Sequence, residues 1–201
     1  MTNYNVIFDM LKGQYNFSAD LKNNHCHEDW ICKYLVDNKL FNTAELVDSQ
    51  DKEKRKIYDI KTTGPEKTIE VKKDLFCYKS GNIFFETESR GNFSGIITTK
   101  SDNWCQSYFC KDGVMRTGIA DVADVKETIF MPGYKKLAGG DKYKNGKAAS
   151  GIIVPWKDYN AICFYKFEID ALDYIIAIGL LNEYNKRTIA KEDRKEDNAA
   201  W

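Results

Sequence analysis

The sequence has no excess of either charge, no long apolar run and no leader-like start. Its 30 Lys and Arg residues balance 30 Asp and Glu residues, so a polyanion would have to be held by a local basic patch and not by the field of the whole protein. The best apolar run, 174–181, falls far short of the roughly 20 residues that cross a bilayer. Because the first ten residues lack a basic region followed by an apolar run, we expect no secretory signal. We therefore expect an intracellular, cytoplasmic protein with no membrane partner.

Paired cysteine motifs are also absent. No Cys-x-x-Cys pair occurs, and in a reducing compartment the cysteines are expected to be free, partly buried thiols. They are Cys26, Cys32, Cys77, Cys105, Cys110 and Cys163. The cluster His25, Cys26, His27 and Cys32 raises a zinc alternative, but its spacing does not match that of structural zinc sites. We expect instead surface histidines at a helix start, next to a half-buried cysteine.

What is present fits one globular domain. Of 201 residues, 43% are hydrophobic and 30% charged, which excludes the disordered classes and allows a sizeable core. We expect a single domain over residues 1–190, followed by a charged, frayed tail over 191–201. Strands bracketed by helices predict the α/β class.

Apolar spacing and turn residues predict the individual elements. The predicted helices cover 3–11, 20–37, 121–130, 170–184 and a short segment, capped by Thr99 or Ser101, that reaches Trp104 and Tyr108. The predicted strands cover 40–47, 57–61, 68–72, 83–89, 151–154 and 161–169, with a hairpin over 108–115 at the Asp112-Gly113 step. The segments 48–56 and 74–80 are predicted to be connectors.

The chain is organised around residues 57–72, which are predicted to form a β-hairpin. Two alternating runs flank Gly64-Pro65, a turn signal. Counting outward from a turn centred between these two residues pairs position 60 with 69, 59 with 70 and 58 with 71. Successive side chains of a strand point to opposite faces, so one face of the hairpin is apolar and faces the core. Its members are Tyr58, Ile60, Ile69 and Val71.

The other face of the hairpin carries Asp59, Glu70 and Lys72. Two carboxylates opposite each other repel, and a divalent cation between them would turn this cost into a binding site, because Mg²⁺ takes one or two carboxylates plus water and phosphate oxygens. Lys72 lies within reach of a metal-bound water, and this combination suits phosphodiester hydrolysis. The alternative is an ordinary solvated face of an edge hairpin, and a slip of one residue would remove the arrangement.

A further acid, Glu28, falls in the predicted helix 20–37, one turn before Ile31 and two turns before Leu35. This spacing puts its carboxylate on or near the buried side of the helix, where a charged group usually has a partner or a function. The alternative is a position at the rim, with the side chain pointing to water.

Residues 134–151 are rich in glycine and lysine. Flexible glycines with interleaved lysines suit a loop that follows a phosphate backbone, and the alternative is a plain exposed loop kept soluble by lysine. The lysines are Lys135, Lys136, Lys142, Lys144 and Lys147.

The pattern Asp59…Glu70-Val71-Lys72 resembles the signature of the PD-(D/E)XK nuclease superfamily, which has the restriction-endonuclease-like fold. The segments 68–74, 81–91, 94–96 and 98–104 extend the resemblance to a phage and bacterial branch whose members are described as Holliday-junction-resolvase-like endonucleases. The resemblance is best from Glu28 to Trp104. One departure is Tyr58, which stands where the literal motif has proline.

The resemblance implies roles for individual residues. Asp59 and Glu70 would be metal-binding carboxylates, and the carbonyl of Val71 would complete the metal shell. Lys72 would orient or deprotonate the attacking water, and Glu28 matches the acid that the family carries on a helix, often a further metal ligand. Residues in the matching segments would support the site or contact DNA. They are Glu86, Glu88 and Lys100.

The resemblance thus implies a mixed central sheet flanked by helices and a metal-dependent endonuclease that cuts duplex or branched DNA with one or two Mg²⁺ or Mn²⁺ ions. The expected setting is phage or bacterial recombination, repair or genome processing, and a homodimer is compatible with it because resolvases and many restriction enzymes of this fold act as dimers. Two alternatives stay open: a catalytically silent nucleic-acid-binding or inhibitory protein with the nuclease fold, and an RNA-directed nuclease of the same fold.

Overall fold

The chain forms two β-sheets with helices packed around them. The computed structural model describes residues 17–47, 51, 54, 57–74, 77–138 and 149–179, with side chains from residue 25 onward. The strands are β1 (Thr43–Leu46), β2 (Ile60–Thr63), β3 (Lys67–Asp74), β4 (Asn82–Ser89), β5 (Asn92–Phe93), β6 (Asn103–Phe109), β7 (Val114–Asp121), β8 (Lys135–Ala138), β9 (Ser150–Pro155) and β10 (Tyr165–Asp170). The helices are α1 (Phe17–Asp37), α2 (Cys77–Ser80), α3 (Val122–Ile129), α4 (Trp156–Ile162) and α5 (Ala171–Ala177), with a 3-10 turn at Gly95–Ile97. No helix in these ranges is both long and apolar enough to cross a membrane.

The larger sheet has the strand order β1-β2-β3-β6-β7-β10. Its neighbouring strands are antiparallel except β3 and β6, which run parallel. Parallel neighbours need a long crossover connection, and here the crossover carries α2, β4 and β5. β4 and β5 belong to a second, antiparallel sheet with the order β5-β4-β9-β8. The expected α/β class, with a mixed sheet flanked by helices, is confirmed at this level.

Apolar side chains cover both faces of the six-stranded sheet. On one face, Trp104 and Tyr108 of β6 pack with Phe85 of β4 and Tyr159 of α4, which joins the two sheets. On the other face, α1 packs through Ile31 and Leu35 against the β2–β3 hairpin. The central strand β6 is consequently buried along its whole length.

Most predicted elements lie where the sequence puts them. α1 ends at Asp37 as predicted and begins at Phe17, slightly before the predicted start. The strands predicted over 40–47, 83–89 and 151–154 are β1, β4 and β9, and the helix predicted over 121–130 is α3. The hairpin at Asp112-Gly113 is confirmed by the antiparallel pairing of β6 with β7.

The prediction of a short helix capped by Thr99 or Ser101 is wrong, because residues 103–109 form β6. A strand buried on both faces shows no polar–apolar alternation, so its period is not legible in the sequence. Two of its polar side chains are bonded within the sheet: Asn103 Nδ2 donates to Asp121 at 2.9 Å, and the hydroxyls of Ser107 and Thr117 lie 2.8 Å apart.

Three other segments also differ from prediction. The connector 74–80 contains the end of β3 and all of α2, and the strand predicted over 161–169 begins only at Tyr165 because residues 156–162 form α4. Residues 135–138, predicted as part of a loop, form β8, an edge strand whose four side chains are all exposed and therefore show no alternation.

Some predictions fall on residues outside the described ranges. These are the helix over 3–11, most of the connector 48–56, the boundary at 190 and the tail 191–201. The helix predicted over 170–184 begins as α5 at Ala171, where Asp170 Oδ1 accepts the Leu172 N–H at 2.8 Å, and its portion beyond residue 179 is likewise outside.

The expectation of surface histidines is wrong for His27, which is 2% exposed. Its Nδ1 lies 2.9 Å from the hydroxyl of Tyr174 in α5, and burial lowers the pKa of the imidazole. His25 keeps 37% of its side chain exposed. All six cysteines are free thiols, as expected, and all but Cys26 are buried.

Candidate functional site

The predicted register of the central hairpin is confirmed. Ile60 pairs with Ile69 in the β2–β3 ladder, and the main-chain N–H of Asp59 continues the pairing by donating to the carbonyl of Ile69 at 3.0 Å. Gly64 supplies the left-handed conformation of the turn, with φ of 114°. The register therefore brings Asp59 next to Glu70, as counting outward from the turn predicts.

The two faces of the hairpin also separate as predicted. Ile60 and Ile69 are fully buried and Val71 is 6% exposed, while Tyr58 is half-buried. Asp59 is the exception on the polar side, because it is only 8% exposed. Its Oδ2 accepts the main-chain N–H of Val71 at 2.8 Å, which holds the carboxylate against β3.

Lys72 joins the two carboxylates. Its Nζ forms a short ion pair with Oε1 of Glu70 and lies 4.0 Å from Oδ2 of Asp59. The same nitrogen lies 5.9 Å from the centroid of the Trp104 ring on the neighbouring strand β6. Since one ammonium group contacts both acids, the three side chains form a single charged cluster on the face of the sheet.

Burial and charge shift the protonation of this cluster. Burial raises the pKa of Glu70, the negative charge of Asp59 raises it further, and the charge of Lys72 and a hydrogen bond from Thr99 only partly oppose this. Burial lowers the pKa of Lys72, but the charges of Glu70, Asp59 and Glu28 outweigh this and raise it above its usual value. Lys72 therefore stays an ammonium group at neutral pH.

Glu28 reaches the cluster from α1. Its side chain is buried, which contradicts the alternative of a rim position that points to water. Its Oε2 lies 3.4 Å from Nδ1 of His25, and its charge acts on Lys72. The helix thus places a third carboxylate whose charge acts on Lys72, although α1 packs on the apolar face of the hairpin.

The sequence analysis named Lys100 in the segment 99–102 but missed the hydrogen bonds by which its neighbours hold the hairpin from the β6 side. Thr99 Oγ1 donates to Glu70 Oε2 at 3.4 Å, and Ser101 Oγ donates to the carbonyl of Ile57 at 3.1 Å. Asp102 Oδ2 accepts both the N–H and the hydroxyl of Thr68, each at 2.8 Å. Hydroxyl and carboxylate side chains in loops commonly form hydrogen bonds with nearby main chain. The hydroxyls of Thr99 and Ser101 were therefore a visible signal, but the sequence analysis interpreted them as helix caps.

The remaining candidate residues outside the lysine-rich loop are Lys100, Glu86 and Glu88. Lys100 is exposed and directly follows Thr99. Glu86 accepts a 2.5 Å hydrogen bond from Ser94. Glu88 accepts the Ser150 hydroxyl at 2.8 Å and pairs with Lys136 at 3.1 Å, and these contacts lower its pKa.

The predicted lysine-rich loop is described only in part. Lys135 and Lys136 are exposed on the edge strand β8. Lys142, Lys144 and Lys147 lie outside the described residues. A phosphate-binding role for these five lysines stays a prediction.

The chemistry of the donor set fits a hard divalent cation. The carboxylates of Asp59 and Glu70 and the carbonyl of Val71 are all oxygen ligands, and Mg²⁺ uses one or two carboxylates together with water and phosphate oxygens. In the part of the chain that the structure describes, no three His, Cys, Asp or Glu side chains form a group able to hold a metal. The site is thus a pair of acids bridged by Lys72.

No protein-family model, curated protein or solved structure matches the chain. Functional inference therefore depends on the geometry of the described residues and on the motif resemblance of the sequence.

Proposed function

We propose that this protein is a Mg²⁺- or Mn²⁺-dependent endonuclease of the restriction-endonuclease-like fold that hydrolyses DNA phosphodiester bonds. The observation that carries the proposal is the convergence of Asp59 and Glu70 on the single ammonium group of Lys72. Two buried or half-buried acids beside one lysine are costly to maintain in a sheet, since each acid gives up hydration. Such a cluster is expected at a functional site, where the charged groups take part in binding or catalysis.

The position of the cluster supports the proposal. Glu70 and Lys72 lie in β3, inside the six-stranded sheet, and Asp59 immediately precedes β2. This argues against the simplest alternative from the sequence, a solvated face of an edge hairpin, because β3 has neighbours on both sides and Asp59 is buried. Glu28 approaches from α1, the place that the motif resemblance gives to a helix-borne acid.

The proposed mechanism assigns each side chain one task. Asp59, Glu70 and the carbonyl of Val71 would hold the ion, which when bound supplies Lewis-acid polarisation of the phosphate and a more acidic water. Lys72, an ammonium group because its pKa is raised, would orient the attacking water and offset negative charge on the phosphate. Its protonation favours this electrostatic role over that of a general base.

Cleavage assays test the proposal. Purified protein is incubated with duplex, branched and single-stranded DNA and with RNA, each with EDTA, Mg²⁺ or Mn²⁺. We expect metal-dependent DNA cleavage that falls about 100-fold or more in Lys72→Met and Glu70→Gln. Lys61→Met is the matched control, because Lys61 lies in the same hairpin and pairs with Glu66 at 2.6 Å on the exposed surface.

The same panel separates the alternatives. Cleavage of RNA but not DNA would support the RNA-directed nuclease, and metal-independent binding without cleavage would support a silent nucleic-acid-binding protein. Equal cleavage by wild type and Lys72→Met would refute the site.

We further propose that the protein acts on its substrate inside the cell during phage or bacterial recombination, repair or genome processing, and that it acts as a homodimer. Sedimentation with and without branched DNA tests that assembly.

A further inference from the structure

A second cluster of reactive groups lies at the other end of β3. A pocket of about 340 Å³ is lined there by Cys77, Cys110, Arg116 and Trp156 among others. Cys77 begins α2, shortly after β3 ends at Asp74, and Cys110 directly follows β6. The lining residues include none of Asp59, Glu70 and Lys72, so this pocket is separate from the acid cluster.

The two thiols are held together within the pocket wall. Cys77 is 1% exposed and Cys110 is 7% exposed. Both cysteines line the same pocket and belong to the same buried cluster, and Arg116 lines that pocket as well.

Arg116 is fixed in this position by several contacts. Its Nη atoms donate to the Asp112 carboxylate at 3.1 and 2.7 Å, and its Nε donates to Glu168 at 2.8 Å. The guanidinium also lies 5.3 Å from the centroid of the Trp156 ring. The wall that contains Cys110 thus also contains a guanidinium whose orientation Asp112 and Glu168 fix.

The surroundings of Cys110 differ from those of Cys32 and Cys163. The hydrogen bond from Cys77, together with Arg116, lowers the pKa of Cys110 to about 7. Burial instead raises the pKa of Cys32 to about 12 and that of Cys163 to about 11. The thiolate is the reactive form of cysteine. Cys110 is also the more exposed of the two thiols and shares the pocket wall with Arg116, so it is the expected nucleophile, with Cys77 as a second thiol in the same wall.

We propose that Cys110 and Cys77 form a peroxide-reactive thiol pair that closes into a reversible disulfide. The Cys110 thiolate attacks the terminal oxygen of a hydroperoxide and breaks the O–O bond, and the leaving oxygen takes a proton to become an alcohol or water. Cys110 is then a sulfenic acid. The Cys77 sulfur attacks the Cys110 sulfur, the S–S bond forms, and water leaves. The two thiols lose two electrons and the hydroperoxide gains them.

The small exposed fraction of Cys110 favours a small oxidant. Hydrogen peroxide can reach a sulfur that is 7% exposed at a pocket wall, whereas attack on a bulky disulfide needs a more open approach. The resulting bond would join the start of α2 to the β6–β7 hairpin, which are the elements at the far end of the strands that hold the acid cluster.

The test uses the reduced, full-length protein and stoichiometric hydrogen peroxide at pH 7. After alkylation in denaturant, we expect two of the six cysteines to be protected and a Cys77–Cys110 linked peptide to be found by mass spectrometry. Cys77→Ser should trap a dimedone-reactive sulfenic acid on Cys110, and Cys110→Ser should not be oxidised. Cys32→Ser is the matched control, a buried cysteine outside the pocket, and it should still form the linked peptide.

Arg116→Lys separates activation from folding, because it keeps the positive charge but loses the planar fork. We expect oxidation to be slowed about tenfold at pH 7, as the thiolate fraction falls toward that of an ordinary cysteine, and to recover at higher pH. Circular dichroism confirms that each variant is folded. Thiol loss spread evenly over the six cysteines, or unchanged oxidation in folded Cys110→Ser, would overturn the proposal. Neither result bears on DNA cleavage.

Discussion

The main-chain N–H of Val71 donates a hydrogen bond of 2.8 Å to Oδ2 of Asp59. The bond links the acid that precedes β2 to the residue that stands between Glu70 and Lys72 in β3. Asp59 is thereby fixed in orientation before any ligand arrives, with its charge 4.0 Å from the Lys72 ammonium. The Asp59 carboxylate thus has two roles: it accepts a hydrogen bond that links the two strands of the hairpin, and it supplies one negative charge of the candidate site.

This double role predicts different behaviour for two substitutions of Asp59. In Asp59→Asn the amide oxygen can still accept the Val71 N–H, so the free energy of unfolding should change by less than about 1 kcal/mol. Asp59→Ala leaves a buried N–H without its acceptor and should cost about 1–3 kcal/mol. Urea unfolding in EDTA measures both. Equal stability of the two variants would contradict the role of this hydrogen bond.

Divalent metal should stabilise the protein if the acid pair binds it. A ligand present at 100 times its Kd stabilises the folded state by about 2.7 kcal/mol, which raises Tm by roughly 5–10 °C in a chain of this size. We expect this increase with Mg²⁺ or Mn²⁺ in wild type and in Lys61→Met, and little or none in Asp59→Asn. Differential scanning calorimetry with EDTA as the reference measures it, and an equal rise in Asp59→Asn would place the metal elsewhere.

Glu70 should contribute a pH dependence to stability in the absence of metal. Because its pKa is raised in the folded state, protonation favours folding. The contribution is complete below the pKa of the unfolded chain and is lost as pH rises through the folded pKa. The stability of wild type relative to Glu70→Gln should therefore increase as pH falls from 7 toward 4.5.

Urea unfolding of both proteins across that range, with EDTA throughout, gives the difference at each pH. Glu66→Gln, a change at an exposed turn residue of the same hairpin, is the control for general acid effects. A difference between wild type and Glu70→Gln that does not vary with pH would show that burial does not disfavour the charged form of Glu70.

The packing of α4 on β7 makes a fourth prediction. A Cβ added at Gly118 would lie 2.5 Å from Cys163 Sγ and 3.1 Å from Tyr159 Cε1. Gly118→Ala should therefore destabilise the protein by about 1–3 kcal/mol through overpacking. Adding Cys163→Ala removes the closest atom. The double variant should therefore lose less stability than the sum of the losses measured for the two single variants. Additive effects would mean that this contact does not limit the packing.

The sequence predicted the hairpin and its register because Gly64 and Pro65 mark the turn and alternation marks both strands. It also predicted that Asp59, Glu70 and Lys72 share one neighbourhood. These signals lie within the hairpin itself, so they can be read without knowing its tertiary neighbours. The hydrogen bond from the Val71 N–H to the Asp59 side chain, however, could not be read from spacing.

Other features depend on partners far away in the chain. β6 lacks alternation because α1 and the second sheet bury it from both sides, and Thr99 and Ser101 resemble helix caps although they bond to Glu70 and Ile57. The contact between Cys77 and Cys110 likewise arises from the parallel pairing of β3 with β6. A single sequence gives no signal for such pairings, so the second cluster was not predictable.

The parallel pairing of β3 with β6 has a consequence for the order of folding. The connection between them carries β4 and β5 of the other sheet, so Thr99 and Trp104 lie far along the chain from their neighbour Glu70. Contacts between distant parts of a chain form slowly. The contacts of Glu70 with Thr99 and Trp104 should consequently form later than the hairpin that brings Asp59, Glu70 and Lys72 together.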